Sequence, residues 1–303
     1  MKKLLVATTA LVATVGMASA QNVSFGGDAR FGIQHNSGAV GVAETRLEKR
    51  FTLNIDARVE SDMGLVAGAR LRLRSDENQG AMRGINGARV FVTAAGLTVA
   101  AGNILGAIES APGLYDPSVG LNGLGWAGLV TNTAAKGTFT WDAYSSNGNG
   151  AEGLEAIYSI AGFTVHISHS SADLRGIAGT ERQNAIYGAY RWQDWTFVAA
   201  YLDSNINTND KWYLGALGSI GDFGFGLTYA DNDGVGKVAV NGRYRFGDFT
   251  VTGYVADEDS PVGDTTYGLG GIYNLGSGIS LRGGAEKDVN GNTRADFGVN
   301  ISF

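Results

Sequence analysis

Cysteine is absent from the 303-residue sequence, and proline occurs only three times, at Pro112, Pro117 and Pro261. No disulfide can form, so the stability of the fold depends on packing and backbone pairing. Glycine, by contrast, occurs 47 times. Because so many glycines weaken helices, and because the prolines lie outside the segments of alternating hydrophobicity, the composition favours a sheet protein.

The sequence also has no apolar run long enough to span a bilayer as a helix, which takes about 20 residues. The longest run, Leu4 to Gly16, has about 13 residues, follows the basic Met1-Lys2-Lys3 and precedes Ala18-Ser19-Ala20. Residues 1–20 are therefore predicted to be a signal peptide that is cleaved on export. Residues 21–303 are predicted to form a single domain without a membrane helix.

Basic residues are outnumbered, with 23 lysines and arginines against 29 acids. Removal of Lys2 and Lys3 with the signal peptide leaves 21 basic residues (23 − 2), so the mature chain is acidic. An acidic chain lacks the basic surface that a nucleic-acid partner requires, and no such partner is expected.

The last eleven residues alternate between apolar and polar side chains. Ala295, Phe297, Val299, Ile301 and Phe303 fall on one face. The other face, which is expected to meet water, carries Arg294, Asp296, Asn300 and Ser302. A strand with lipid on one side and water on the other needs this alternation. We therefore interpret the end of the chain as a transmembrane strand.

A unit of strand, tight turn, strand and longer loop recurs about eight times along the chain. Glycine, aspartate and similar residues that favour hairpin turns mark the short connections: 61–64, 95–96, 161–162, 193–194, 221–222, 247–248 and 276–278. Longer loops are expected near 36–42, 77–84, 103–151, 174–182, 205–210, 232–236, 259–264 and 288–292. Seven turns and eight loops predict an all-β, sixteen-stranded antiparallel barrel, closed so that no edge meets lipid.

The alternation also predicts which side chains face the lumen. In Val23 to Ile33 and in the following strand, the odd positions are apolar and are expected to face lipid. Arginines in lipid cost about 2–4 kcal/mol each near the midplane, so the arginines of the opposite face must line a water-filled lumen. This predicted basic wall comprises Arg30, Arg50, Arg58, Arg70, Arg72 and Arg74.

Aromatic residues flank several of the expected tight turns. Such rings settle at the headgroup level of a membrane. The predicted interface anchors are Trp192, Trp195, Phe246, Phe249 and Phe303. The alternative is a soluble β-sandwich with these rings in its core, but the strands offer no second polar outer surface.

The segment of about 103–151 breaks the repeat and is the candidate functional element, because long loops without regular structure are usually functional. Its apolar residues, among them Trp126 and Trp141, predict that it packs inside the lumen. We expect it to present Glu109 and Asp116 to the basic wall, with Asp142 as a further acid of the loop. Opposed charges across a water-filled passage would order water and disfavour apolar solutes.

Four segments resemble a known family: Asp28-Ala29-Arg30-Phe31-Gly32, Ala101-Gly102-Asn103, Thr266-Tyr267-Gly268-Leu269-Gly270 and the ending Ala295 to Phe303. They are similar to the general diffusion porins of Gram-negative bacteria, most closely the sixteen-stranded trimeric porins of photosynthetic alphaproteobacteria. The resemblance covers essentially the whole mature chain.

The resemblance implies a homotrimer in the outer membrane, surrounded by lipid and lipopolysaccharide, that passes small hydrophilic solutes. It also implies that the third extracellular loop forms the constriction. No cofactor is predicted from the residues, and calcium enters only through the family resemblance. The terminal Phe303 resembles the family's signal for the outer-membrane assembly machinery. The loop departs from the family pattern by having fewer acids, since Ile104, Leu105, Ala107 and Ile108 are apolar.

Two alternatives and the ion selectivity stay open at this point. A substrate-specific channel would need lumen aromatics, for which Trp126 and Trp141 are the candidates. A barrel enzyme would need a general base, but His166 and His169 have opposite parity and point to opposite sides of their strand. Acids share the inward face with the arginines, so the sequence does not fix the sign of the ion preference.

Overall fold

The computed structural model describes residues 22–76, 84–137, 143–145, 150–176, 181–206 and 209–303. The predicted signal peptide, residues 1–20, lies outside these ranges. Trp141 and Asp142 of the long loop also lie outside them.

Sixteen strands account for most of the described chain. Their bounds are β1 (Asn22–Asn36), β2 (Thr45–Glu60), β3 (Val66–Asp76), β4 (Arg89–Ala94), β5 (Leu97–Gly102), β6 (Glu152–Ile160), β7 (Phe163–Ser171), β8 (Arg182–Trp192), β9 (Trp195–Ser204), β10 (Lys211–Ile220), β11 (Phe223–Asn232), β12 (Gly236–Phe246), β13 (Phe249–Glu258), β14 (Thr266–Gly276), β15 (Ile279–Lys287) and β16 (Thr293–Ser302). Short 3₁₀ turns occur at Trp126–Gly128 and Ala172–Arg175. Within the described ranges, no helix has both the length and the apolar character that a membrane crossing requires.

The strands close into one antiparallel barrel, because each pairs with its neighbours in sequence and β1 pairs with β16. At this seam Arg30 lies opposite Asn300 and Phe31 lies opposite Val299. The backbone N–H groups of Gly27 and Phe303 each donate to the other's carbonyl, at 2.8 and 3.1 Å. The predicted sixteen-stranded barrel is confirmed.

The tight turns at one end of the barrel have the backbone geometry that hairpins require. Ala95-Gly96 and Ala161-Gly162 have positive φ at both residues, from 47° to 86°, as in type I′ turns. At Gln193 and Gly221 the positive φ, 55° and 58°, falls on the first residue of the turn, as in type II′ turns. Both types match the right-handed twist of strands, which explains why these short sequences fix the register.

The outer face of the barrel is apolar, as the alternation predicted. Phe25, Phe31 and Ile33 of β1 are 63%, 57% and 57% exposed on the isolated chain. Hydrocarbon covers such side chains when the barrel spans a membrane, while every strand satisfies its backbone polar groups by pairing.

Aromatic rings gather on this outer face beside the tight turns. Across β11 to β14, the rings of Phe223, Tyr244, Phe246, Phe249 and Tyr273 form a row, with successive centroids 4.3, 5.7, 5.5 and 5.0 Å apart. The row therefore includes two of the predicted anchors, and their role at the membrane interface stays a prediction.

The other three predicted anchors lie at the same end. Trp192 and Trp195 are cross-strand partners around their turn. The ring of Trp195 covers Gly218, where an added Cβ would lie 2.4 Å from the ring. Phe303 is exposed and stacks on Phe51 at 5.8 Å. Their anchoring role is likewise a prediction.

The hydrophobic core lies inside the barrel, between the long loop and one side of the wall. The loop contributes buried apolar residues, namely Ala107, Ile108, Ala111, Leu114, Val119, Leu124, Leu129 and Val130. These pack on inward side chains of β8 to β13, namely Ala185, Tyr187, Val198, Ala200, Leu202, Tyr213, Ala230, Ala239, Tyr254 and Ala256. The loop is thus folded into the lumen as predicted. Its apolar residues pack on β8 to β13, while Leu121 and Asn122 bond side chains of β1 and β2.

Candidate functional site

Polar side chains of the wall hold the loop by its backbone. The Tyr213 hydroxyl donates to the carbonyl of Pro112 at 2.7 Å. Lys237 is buried, and its Nζ donates to the carbonyls of Ala127 and Asn132 at 2.6 and 2.5 Å. These bonds satisfy loop carbonyls that cannot pair with a neighbouring strand.

Carboxylates of the last strands bind the middle of the loop. Asp296 accepts from the N–H groups of Leu121 and Asn122, each at 2.8 Å. Glu286 accepts from the N–H of Gly125 at 2.5 Å and from the Tyr254 hydroxyl at 2.7 Å. Hydrogen bonds to ionised acceptors are roughly twice as strong as neutral ones, so these contacts fix the height of the loop.

Glycines let the loop approach these carboxylates. Gly120 and Gly125 have φ of +78° and +104°, in the region that side chains disfavour. An added Cβ would lie 2.4 Å from Oδ1 of Asp296 at Gly120, and 2.1 Å from the carbonyl oxygen of Pro117 at Gly125. The segment therefore has its shape because its backbone, rather than a side chain, must reach the wall.

Between the loop and the opposite wall lies a cavity of about 580 Å³, which we call the constriction cavity. Its basic side comprises five guanidinium groups, the arginine row of Arg30, Arg50, Arg72, Arg74 and Arg294. Its loop side comprises Leu105, Glu109, Tyr115, Asn122, Gly123, Trp126 and Tyr144. The Tyr115 hydroxyl donates to Glu109 at 3.2 Å, and the Arg72 guanidinium lies over the Tyr144 ring at 4.6 Å.

Three members of the arginine row have carboxylates beside them. Arg30 bonds Glu48 at 2.5 Å, Arg50 bonds Asp76 at 2.9 Å, and Arg294 bonds Glu286 at 3.0 Å. Since Glu48 and Glu286 are buried, they orient the guanidinium groups and neutralise part of their charge.

The structure brings together most of the predicted basic wall. Arg30, Arg50, Arg72 and Arg74 line the constriction cavity with Glu109. Arg70 bonds Asp56 at 2.8 Å and lines a neighbouring cavity of about 360 Å³, which Arg72 also borders. Arg58 lies over the ring of Phe91, at 5.8 Å from its centroid, and does not line the constriction cavity.

The position expected for Asp116 is corrected by the structure. Asp116 does not face the arginine row but borders a separate cavity with Arg243. The chain turns at Gly113, whose φ is +82°, after the Tyr213 hydroxyl has fixed Pro112 to the wall. Burial raises the pKa of the Asp116 carboxyl, and the positive charge of Arg243 opposes the rise.

Sequence reasoning missed several functional side chains. The parity of β16 placed Arg294 and Asp296 in the lumen, but nothing in the pattern showed that one joins the arginine row and the other holds the loop. The roles of Tyr144 and Lys237 could not be predicted from the sequence pattern, because the residues that they contact lie in distant parts of the chain.

The resemblance implies a calcium site, which the described residues do not support. No group of three or more histidine or acidic side chains in those ranges is placed to hold a metal ion. Glu109 and Asp116 border different cavities and share no ligand position. We derive no role for calcium from this geometry.

A closed barrel with an apolar outer face and a charged inner passage defines a membrane diffusion channel. The comparisons with known proteins agree. The sequence model of the Gram-negative porin family matches residues 7–293, and the chain belongs to this family. It is an outer-membrane pore for passive diffusion of small hydrophilic solutes and ions.

The chain is similar to a porin of Fuscovulum blasticum, with 30% identity over 93% of this chain and 100% of that protein. It is 28% identical to a porin of Rhodobacter capsulatus over the same shares of the two chains. Among solved structures, a triple mutant of Rhodopseudomonas blastica porin superposes with a TM-score of 0.84, at 28% identity, over 93% of this chain and 100% of that one.

Proposed function

We propose that the passage between Glu109 and the arginine row is the section that sets ion selectivity in this pore. The observation that supports it is the lining of the constriction cavity. Among the described residues, five arginines and one carboxylate, that of Glu109, border this volume of about 580 Å³. On its other side the loop packs on β8 to β13, which narrows the lumen to the passage beside the arginines.

Opposed charges across this passage act on solutes through their field. Anions would follow the guanidinium groups and cations would follow Glu109, while water would be oriented between the two sides. An apolar solute gains nothing from this field and must displace oriented water, so polar solutes are favoured.

Replacing Glu109 with glutamine tests this assignment. The removal of the carboxylate is expected to shift the anion-to-cation permeability ratio toward anions by roughly two- to five-fold at low salt, since a unit charge at about 8 Å contributes about 0.5 kcal/mol in water. The shift is measured as the reversal potential of single channels in a planar bilayer with a salt gradient.

Glu44→Gln is the matched control for this experiment, because Glu44 is exposed on the loop between β1 and β2, outside the constriction cavity. Equal reversal potentials for wild type and Glu109→Gln would show that selectivity is set elsewhere.

We further propose that residues 1–20 are removed on export and that the mature chain assembles as a homotrimer among outer-membrane lipid and lipopolysaccharide. The family resemblance supports the trimer, and the exposed Phe303 at the end of the last strand supports recognition by the assembly machinery. We expect an SDS-resistant band that collapses to the monomer on heating. A single monomeric species in native mass measurement would contradict the trimer.

The same geometry supports a channel without catalytic activity. His166 is buried, and its Nε2 lies 3.0 Å from Glu155. His169 points to the other side of β7, where its Nδ1 lies 2.8 Å from Asn184. The two histidines therefore cannot act together on one solute.

A further inference from the structure

Charges of opposite sign face a second cavity on the other side of the loop: the carboxylates of Asp116 and Asp194 and the guanidinium of Arg243. This Asp116 cavity, of about 400 Å³, lies toward the tight-turn end of the barrel and contains both Asp116 and Arg243. Within the described part of the chain, neither side chain forms an ion pair or a hydrogen bond. The two groups border the same cavity, and the positive charge of Arg243 opposes the rise in the pKa of Asp116 that burial causes.

The rest of the lining is polar and suited to a small hydrophilic molecule. Hydroxyl and amide groups come from Ser118, Thr196, Ser219, Asn241 and Thr252. The Nδ2 of Asn241 is buried and has no hydrogen-bond partner among the described residues. Ligand pockets commonly have volumes of about 300–1,000 Å³, so the cavity can hold a small solute with some of its water.

The side chain of Arg243 lies flat against the barrel wall, because the neighbouring strand has a glycine at the contact. This side chain lies over Gly224, where an added Cβ would be 2.6 Å from the Nε atom. Asp116 is carried by the loop, which the wall holds at Pro112. The two charges are thus presented from opposite sides of the cavity by two anchored elements.

The Asp116 cavity also lies inside the barrel, against inward residues of β9 to β13. Tyr115 borders both this cavity and the constriction cavity. The two cavities are therefore neighbours within the lumen.

We infer that the Asp116 cavity is a transient binding site for small zwitterions such as amino acids, with the solute ammonium at Asp116 and the carboxylate at Arg243. The inference rests on the function of the chain as a diffusion pore, and not on the proposed selectivity at Glu109. An ion of one sign gains from one group and is repelled by the other. A zwitterion gains from both groups, and each gain is modest because the site is hydrated.

The test compares glycine with glycolamide, a neutral isomer with the same atoms. Liposomes containing the purified pore are placed in each solute, and the swelling rates give a glycine-to-glycolamide ratio. Asp116→Asn and Arg243→Gln are each expected to change this ratio by about two- to five-fold, because a single hydrated ion pair is a weak interaction. Glycine flux through the wild type is expected to saturate, whereas glycolamide flux stays proportional to concentration.

The charge-swapped variant, Asp116→Lys with Arg243→Glu, is expected to restore the wild-type ratio. The matched control is Lys136→Gln with Asp233→Asn, since these two residues bond each other at 2.7 Å and line neither cavity. An identical ratio in wild type, both single variants and the swap would overturn the inference. Glycolamide flux reports the pore itself, so loss of the site and loss of the pore are distinguishable.

A second readout needs no substitution. Because burial raises the pKa of Asp116, acidification of the wild type should abolish glycine saturation at a pH above 3.8, the ordinary pKa of an aspartate side chain. The charged and titratable groups that face Asp116 across the cavity are Arg243, Asp194 and Tyr115. Saturation that persists below pH 3.8 would count against Asp116 as the ammonium partner.

Discussion

Asp296→Ala is expected to give the largest change in conductance of any single substitution in this chain, by releasing the middle of the loop. The carboxylate of Asp296 accepts from the N–H groups of Leu121 and Asn122, each at 2.8 Å. Hydrogen bonds to a charged group contribute about 1.5–3 kcal/mol each, so their joint loss shifts the equilibrium between docked and released loop by roughly 100-fold or more.

The measurement is single-channel conductance, with limited proteolysis as a second readout. Released loop segments should raise the mean conductance and its fluctuation, and should expose the loop to protease. Addition of Glu286→Ala should enlarge both effects, because Glu286 holds Gly125 and the Tyr254 hydroxyl.

Asn300→Ala serves as the control on the same strand. Its side chain also faces the lumen, but among the residues that the structure describes its amide bonds only Ser302, at 3.4 Å. If Asp296→Ala and Asn300→Ala have the same conductance and the same protease resistance, the carboxylate does not position the loop.

Arg72→Gln with Arg74→Gln is expected to give the largest change in ion selectivity. Both arginines line the constriction cavity opposite Glu109. Their removal takes two positive charges from one side of the passage, so the permeability ratio should move toward cations by roughly three- to ten-fold at low salt. The shift should shrink as ionic strength rises, because mobile ions screen the lining.

Reversal potentials in a salt gradient provide the measurement. Replacing the same two arginines with lysine preserves charge and should preserve the sign of the selectivity. Arg182→Gln removes a charge that bonds Asp173 outside both cavities, and it should leave the reversal potential unchanged. A double glutamine variant that matches the wild type would exclude the arginine row as the selectivity element.

The strands were predictable because the physical signal is local. Each strand has lipid on one face and water or the loop on the other, so every second residue reports its environment. The turns were predictable for the same reason, since Ala95-Gly96 and Ala161-Gly162 adopt positive φ within two residues. The closed sixteen-stranded barrel was predicted by counting the turns and loops between the strands.

The path of the loop was not predictable, because contacts between residues far apart in the sequence determine it. Asp296 binds an amide 175 positions away, and Lys237 binds a carbonyl 110 positions away. The alternation of apolar and polar residues along a strand does not indicate which distant residues will form such hydrogen bonds. Glu109 and Asp116 are only seven positions apart, yet a turn fixed by Tyr213 sends them to different cavities.

The position of the loop's acceptors in the chain gives the pore an order of assembly. Glu286 and Asp296 belong to β15 and β16, the last strands that a ribosome or a translocation pore delivers. The amides of Leu121, Asn122 and Gly125 obtain these acceptors only when the final hairpin is in place. The constriction is therefore completed at the end of biogenesis. A chain truncated before β15 would lack the two carboxylates that hold the middle of the loop.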